Sequence, residues 1–193
     1  MYLYDRLAHE QLTTALTDPP LAPRAPPDAP LCSWLSRAAT LPSVRLADPA
    51  RVLMTDFHHE APCTVSEHRT IDEALRDMIR LSVRALLVIR DERLSGLITS
   101  YDIQGERPLQ FLQQSTCTRH AEIEVAHIMT PWSDLRVLAW PAVERAKVWN
   151  LVKAFEHSEA THLLVIETTP DRSERVRGLI SRSRLVLQLG KSG

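Results

Sequence analysis

Arg84-Ala85-Leu86-Leu87-Val88-Ile89, followed by Leu94-Ser95-Gly96-Leu97-Ile98-Thr99-Ser100-Tyr101-Asp102-Ile103, reads as two short buried strands running into a helix. A continuous apolar run, a charged turn and a second apolar run end in a polar helix-start signal. The pattern returns in His162-Leu163-Leu164-Val165-Ile166 and Arg177-Gly178-Leu179-Ile180-Ser181-Arg182-Ser183-Arg184-Leu185. Leu86 and Leu163 lie 77 positions apart, and Gly96 and Gly178 lie 82 apart. The five extra residues fall in the second turn, where an insertion disturbs a fold least. The chain is therefore a tandem repeat.

Working outward, Cys63-Thr64-Val65 reads as a strand, and Thr70-Ile71-Asp72-Glu73 has the Thr-x-x-Glu form of a capping box. Ile71, Ala74, Leu75, Met78 and Ile79 then give the stripe of a helix with one buried face. A second helix is expected over residues 100–114, broken or kinked near Gly105 and Pro108. The second copy opens with Ile128-Met129-Thr130, parallel to Leu53-Met54-Thr55, and continues with a strand at Leu135-Arg136-Val137-Leu138. Pro141 suits a first helical turn, and Val148, Leu151, Val152 and Phe155 supply that helix's buried stripe. A terminal helix over residues 182–189 closes the repeat. Each half runs strand, helix, strand, strand, helix. Domain boundaries fall at 50–115 and 123–190, preceded by an arm over 1–49 with a short helix at 1–16 and six prolines between Asp18 and Pro30.

Composition limits the function classes. At 193 residues and 44% hydrophobic the chain can bury one or two cores, and a net charge of −1 shows no footprint for nucleic acid or an anionic membrane. Three cysteines, widely spaced and without Cys-x-x-Cys, read as reduced thiols. No run approaches the roughly 18 apolar residues of a bilayer span, and the first residues lack a signal core. A cytoplasmic location without a membrane anchor is expected. Gly-x-Ser-x-Gly, His-Glu-x-x-His and a phosphate loop ending in Lys-Ser/Thr are all missing, and only five glycines exist. An enzyme is not expected.

The Met-Thr pairs at Met54-Thr55 and Met129-Thr130, the Leu-Leu-Val-Ile strands and the Gly-Leu-Ile-Thr-x-x-Asp run from Gly96 to Asp102 recur in the same order. In these features the chain resembles a tandem pair of CBS domains, a Bateman module, over roughly residues 50 to 190. More narrowly it resembles small stand-alone bacterial proteins containing little else. The resemblance implies an α/β (α+β) fold of two β-α-β-β-α subdomains related by a pseudo-twofold axis, and a homodimer. It also implies a ligand-sensing role: many members bind AMP, ADP, ATP or S-adenosylmethionine between the halves and signal to an effector protein. No obligatory cofactor follows from it.

By the family pattern the first half offers Thr99 and Asp102, with Ile98, Thr64, Val65, Ala85 and Leu86 as cleft wall. The second offers Thr130, Val137, Leu138, Thr161, His162 and Ser181. A carboxylate at a helix start can accept hydrogen bonds from a ribose diol while a neighbouring hydroxyl faces an anion. Arg184 stands where the second carboxylate belongs, and arginine has no acceptor for a ribose hydroxyl. One competent cleft led by Asp102 is expected. Arg182, Arg184 and His127 are candidates for meeting phosphate, since pseudo-symmetric halves place each helix start near the other's opening strand.

Each reading has a plainer counterpart. Asp102 and Thr99 can simply cap their helix, Arg184 can be a solvated or ion-paired residue, and His162 a strand-end residue. Asp56-Phe57-His58-His59-Glu60, near His68, is the one tempting metal cluster, but adjacent histidines on an extended segment point to opposite sides. Trp132, Trp140 and Trp149 fit packing better than base stacking, with Trp149 off its helix's buried stripe. Besides a nucleotide sensor, the sequence leaves open a structural or dimerising interaction protein with degenerate clefts and, more weakly, metal-dependent hydrolysis near His58 and His59.

Overall fold

A computed structural model of the chain describes residues 43–115, 119–170 and 172–190. The helix expected at 1–16 and the Pro-rich arm lie outside the described residues. In chain order the strands are Met54–Asp56 (β1), Thr64–Ser66 (β2), Ala85–Arg90 (β3), Arg93–Thr99 (β4), Thr130–Pro131 (β5), Val137–Ala139 (β6), His162–Thr168 (β7) and Glu174–Ser181 (β8). The α-helices are Ile71–Arg80 (α1), Ser100–Gln104 (α2), Arg107–Gln114 (α3), Val125–Ile128 (α4), Trp140–Arg145 (α5), Val148–Glu156 (α6) and Arg182–Gly190 (α7). The strands form two four-stranded mixed sheets, ordered β2-β3-β4-β5 and β1-β8-β7-β6.

The sheets belong to two compact units that interleave along the sequence. The inner one holds residues 61–135, and the described part of the outer one holds 43–60 and 136–190. The interleaving arises because each repeat's opening strand pairs in the other repeat's sheet. β1 runs antiparallel to β8, Thr55 opposite Leu179, and β5 runs antiparallel to β4, Thr130 opposite Leu97.

The segment ahead of each opening strand follows the same rule. Thr70 bridges Glu124, and Ile71 N–H donates to the Ile123 carbonyl at 2.9 Å. Pro49 bridges Lys147, and Val148 N–H donates to the Asp48 carbonyl at 2.9 Å. These bonds account for a difference from the sequence reading. The single helix expected after Pro141 is two, α5 and α6, because the amides of Val148 and Trp149 at the start of α6 donate to Asp48 and Leu46 rather than to a preceding turn.

Within the inner unit the Thr70 capping box forms: Thr70 Oγ1 accepts from Glu73 N–H at 3.3 Å and Glu73 Oε2 accepts from Thr70 N–H at 3.1 Å. Ile71, Ala74 and Met78 of α1 are buried beneath β3 and β4 with Leu86, Val88 and Ile98. Ile79, expected in the buried stripe, is 71% exposed. At about 100° per residue it lies roughly 80° around the helix from Ile71, at the edge of the apolar arc. The helix expected over 100–114 is broken as anticipated, into α2 and α3 at Gly105 and Glu106, with Pro108 in the first turn of α3.

The hairpins match in detail. Val88 pairs with Gly96 and Ile89 with Leu94, leaving Ser95 as a bulge; Val165 pairs with Gly178 and Ile166 with Val176, leaving Arg177. The short β3–β4 turn places Asp91 and Glu92 at φ 48° and 63°, the positive pair of a two-residue type I′ turn. The additional residues of the second repeat lengthen the β7–β8 hairpin, where Thr169 N–H donates to the Ser173 carbonyl at 2.8 Å. No helix among the described residues is long and apolar enough to cross a membrane.

Candidate functional site

The inner unit gathers one set of the expected residues at one end of its sheet. Thr64 begins β2 beside Leu87, Ala85 begins β3 opposite Thr99, which ends β4, and Thr130 of β5 lies opposite Leu97. Val65, Leu86 and Ile98 are buried in the core, so their side chains are spent on packing.

Thr99 and Asp102 form a tight pair at the start of α2. Asp102 Oδ2 accepts from Thr99 N–H at 2.8 Å and from Thr99 Oγ1 at 2.7 Å, while Asp102 N–H reaches Thr99 Oγ1 at 3.2 Å. This is a capping box with aspartate in the third position. The other oxygen, Oδ1, lies 2.9 Å from Nη1 of Arg107. The Asp102 side chain is 12% exposed and that of Arg107 45%. The carboxylate expected to face a ligand is thus held by its own chain. Arg107 Nη1 also approaches the Ile128 carbonyl at 2.8 Å and Thr130 Oγ1 at 3.1 Å, tying α3 to the segment leading into β5. Sequence reading gave Arg107 no role; its only signal was position, five residues after the aspartate.

The outer unit assembles the second set with different chemistry. His162 begins β7 opposite Ser181, and Leu138 of β6 sits opposite Val165. His162 is buried, with Nδ1 3.0 Å from Thr161 Oγ1. Arg182 donates to the carbonyls of Phe155 and Ser158, the former at 2.7 Å, and so caps the C-terminal end of α6. Arg184 Nη1 donates to Thr55 Oγ1 of the opposite repeat's opening strand at 3.1 Å. Both units therefore link a guanidinium to the threonine of a Met-Thr pair, from Arg107 in one and Arg184 in the other. His127 is elsewhere occupied: it accepts from Glu124 N–H at 3.1 Å and stacks on Phe111 with centroids 4.4 Å apart.

Gly96 and Gly178 act by close approach rather than by turning the chain. A Cβ on Gly96 would stand 2.5 Å from the Thr130 carbonyl oxygen, and one on Gly178 would stand 2.5 Å from that of Thr55. The His58 and His59 segment engages carboxylates singly, His58 Nε2 lying 3.5 Å from Glu167 and His59 Nε2 3.9 Å from Asp56. Among the described residues no group of three or more His, Cys, Asp or Glu is placed to hold a metal ion.

Residues 53–107 match the family model described as CBS domain. The chain carries a CBS-domain sequence over those residues. That match runs from the residue before β1 through Arg107, so one CBS sequence contributes to both units. Comparison with curated proteins returned no match. Among solved structures the chain is similar to an uncharacterized conserved protein from Pyrococcus horikoshii, with TM-score 0.51, 20% identity, and 75% of this chain and 93% of that one covered. It is also similar to the CBS domain of the bacterial CNNM/CorC family Mg2+ transporter in complex with ATP, with TM-score 0.50, 15% identity, and 81% and 94% covered. CBSX2 in complex with AMP aligns with TM-score 0.49, 17% identity, and 75% and 98% covered. At these identities the likeness to the first two establishes the fold alone.

Proposed function

We propose that this CBS-domain protein is a regulatory module that binds an adenosine-type nucleotide at the Asp102 end of the inner sheet and signals to a separate protein. The observation that carries the reading is the convergence of Thr64, Ala85, Thr99, Asp102 and Thr130 at one sheet end, beside a helix-start carboxylate. Adenine needs apolar contact and a ribose needs an acceptor; in this reading Ala85 supplies the first and the Asp102 carboxylate the second. The solved ATP complex of a like-folded CBS domain supports the ligand class. Binding regulates by favouring whichever arrangement the ligand contacts better, and the partner reads that shift. In this reading the chain performs no catalysis, works as a cytoplasmic homodimer and binds neither membrane nor nucleic acid. S-adenosylmethionine stands beside AMP, ADP and ATP as a candidate.

A second reading has its own observation. Asp102 is engaged by Thr99 and Arg107, and its counterpart is Arg184, which fits an interaction protein whose clefts bind no ligand. Thermal unfolding with AMP, ATP and S-adenosylmethionine separates the two. A ligand at a hundredfold excess over Kd stabilises by about 2.7 kcal/mol. The sensor predicts such a rise with at least one ligand, lost in Asp102→Ala when judged against that variant's own baseline. The interaction protein predicts no rise with any ligand at millimolar concentration. The baseline itself falls by about 0.5–2 kcal/mol, because the substitution also removes a cap.

A further inference from the structure

We infer that Arg107 is a latch on Asp102 that makes this site select phosphorylated nucleosides over neutral ones; the inference rests on the nucleotide-binding reading above. A carboxylate oxygen accepts two hydrogen bonds. Oδ2 of Asp102 already accepts both from Thr99, and Oδ1 is held in an ion pair by Nη1 of Arg107 at 2.9 Å. A ribose diol that donates to this carboxylate therefore meets Arg107 at the remaining oxygen and must displace it to donate twice.

Displacement separates an ion pair whose carboxylate is largely buried. A neutral nucleoside replaces the guanidinium at the carboxylate but gives the guanidinium nothing in return. A nucleoside phosphate gives it a charged acceptor, and hydrogen bonds between charged groups are roughly twice as strong as neutral ones. Arg107 is suited to be handed from one to the other. Its Nη1 is also anchored by the Ile128 carbonyl and Thr130 Oγ1, so on release it stays beside the site, while nearly half of its side chain is open to solvent. In the outer unit Arg184 occupies the carboxylate position and bonds Thr55.

The test is isothermal titration of the full chain with AMP and with adenosine at low salt, for the wild type, Arg107→Gln and Arg107→Met. Wild type is expected to bind AMP about tenfold or more tighter than adenosine. In both variants the ratio should collapse toward one, adenosine binding more tightly than to the wild type and AMP less. Circular dichroism confirms that each variant is folded, and two neutral replacements guard against one failing. An unchanged ratio in both variants, or equal affinities in the wild type, overturns the latch while leaving nucleotide binding intact. Absence of binding by either compound in all three proteins overturns the functional reading and the latch together.

Discussion

Glu67 shows how one side chain can hold several segments in register. It follows β2 and its side chain is only 4% exposed; Oε1 accepts from Arg90 at the end of β3 and Oε2 from Ser95, the β4 bulge, at 3.1 Å. The Arg90 hydrogen bond, helped by Ser95 and opposed by burial, holds its carboxyl below the ordinary glutamate range. Such a group binds protons less readily folded than unfolded, so acid favours unfolding. Its contribution is complete above about pH 4.3, the unfolded value, and is lost as pH falls through the lower folded one. Glu67→Gln should therefore lower stability at neutral pH by about 1–3 kcal/mol and reduce the acid-induced loss, as read from urea unfolding at pH 7 and pH 4. Asp102 belongs to the same scale. Sequence alone offered it as a cap or as a ligand acceptor, and the geometry makes it a cap first.

At the level of strands, glycine and the Met-Thr pair are two sides of one contact. The Met129 sulfur would lie 3.0 Å from a Cβ on Gly96, and the Met54 sulfur 2.8 Å from one on Gly178, with a carbonyl oxygen closer still in each case. A methyl group there must push the opening strand away. Gly96→Ala and Gly178→Ala should each cost about 1–3 kcal/mol in chemical denaturation, as overpacking does, although neither glycine has positive φ. Periodicity made the hairpins and α1 legible because their contacts are local. The pairing of β1 with β8 and β5 with β4 was not legible, since opening strands of three and two residues carry no alternation to reveal a partner. The repeated Met-Thr and Gly-Leu-Ile were visible as separate signals. Their contact is made by tertiary structure, which also fixes the break between α5 and α6 and brings Arg107 to Asp102.

For the molecule as a whole, a twofold sequence repeat becomes two sheets of like wiring and unlike chemistry. The inner unit carries the Asp102–Arg107 pair beside Thr130, and the outer unit carries Arg184 at the matching threonine, Thr55. The first unit has a carboxylate at its helix start where the second has Arg184, so the two units are not interchangeable receptors. Residues 53–107, the stretch matching the CBS family model, include the Asp102–Arg107 pair. The most direct measurement is the stoichiometry of AMP or ATP binding to the full chain by equilibrium dialysis. One nucleotide per chain is predicted, weakened about tenfold or more in Asp102→Asn and unchanged in Arg184→Ala. Two nucleotides per chain, or none at millimolar concentration, would contradict the account.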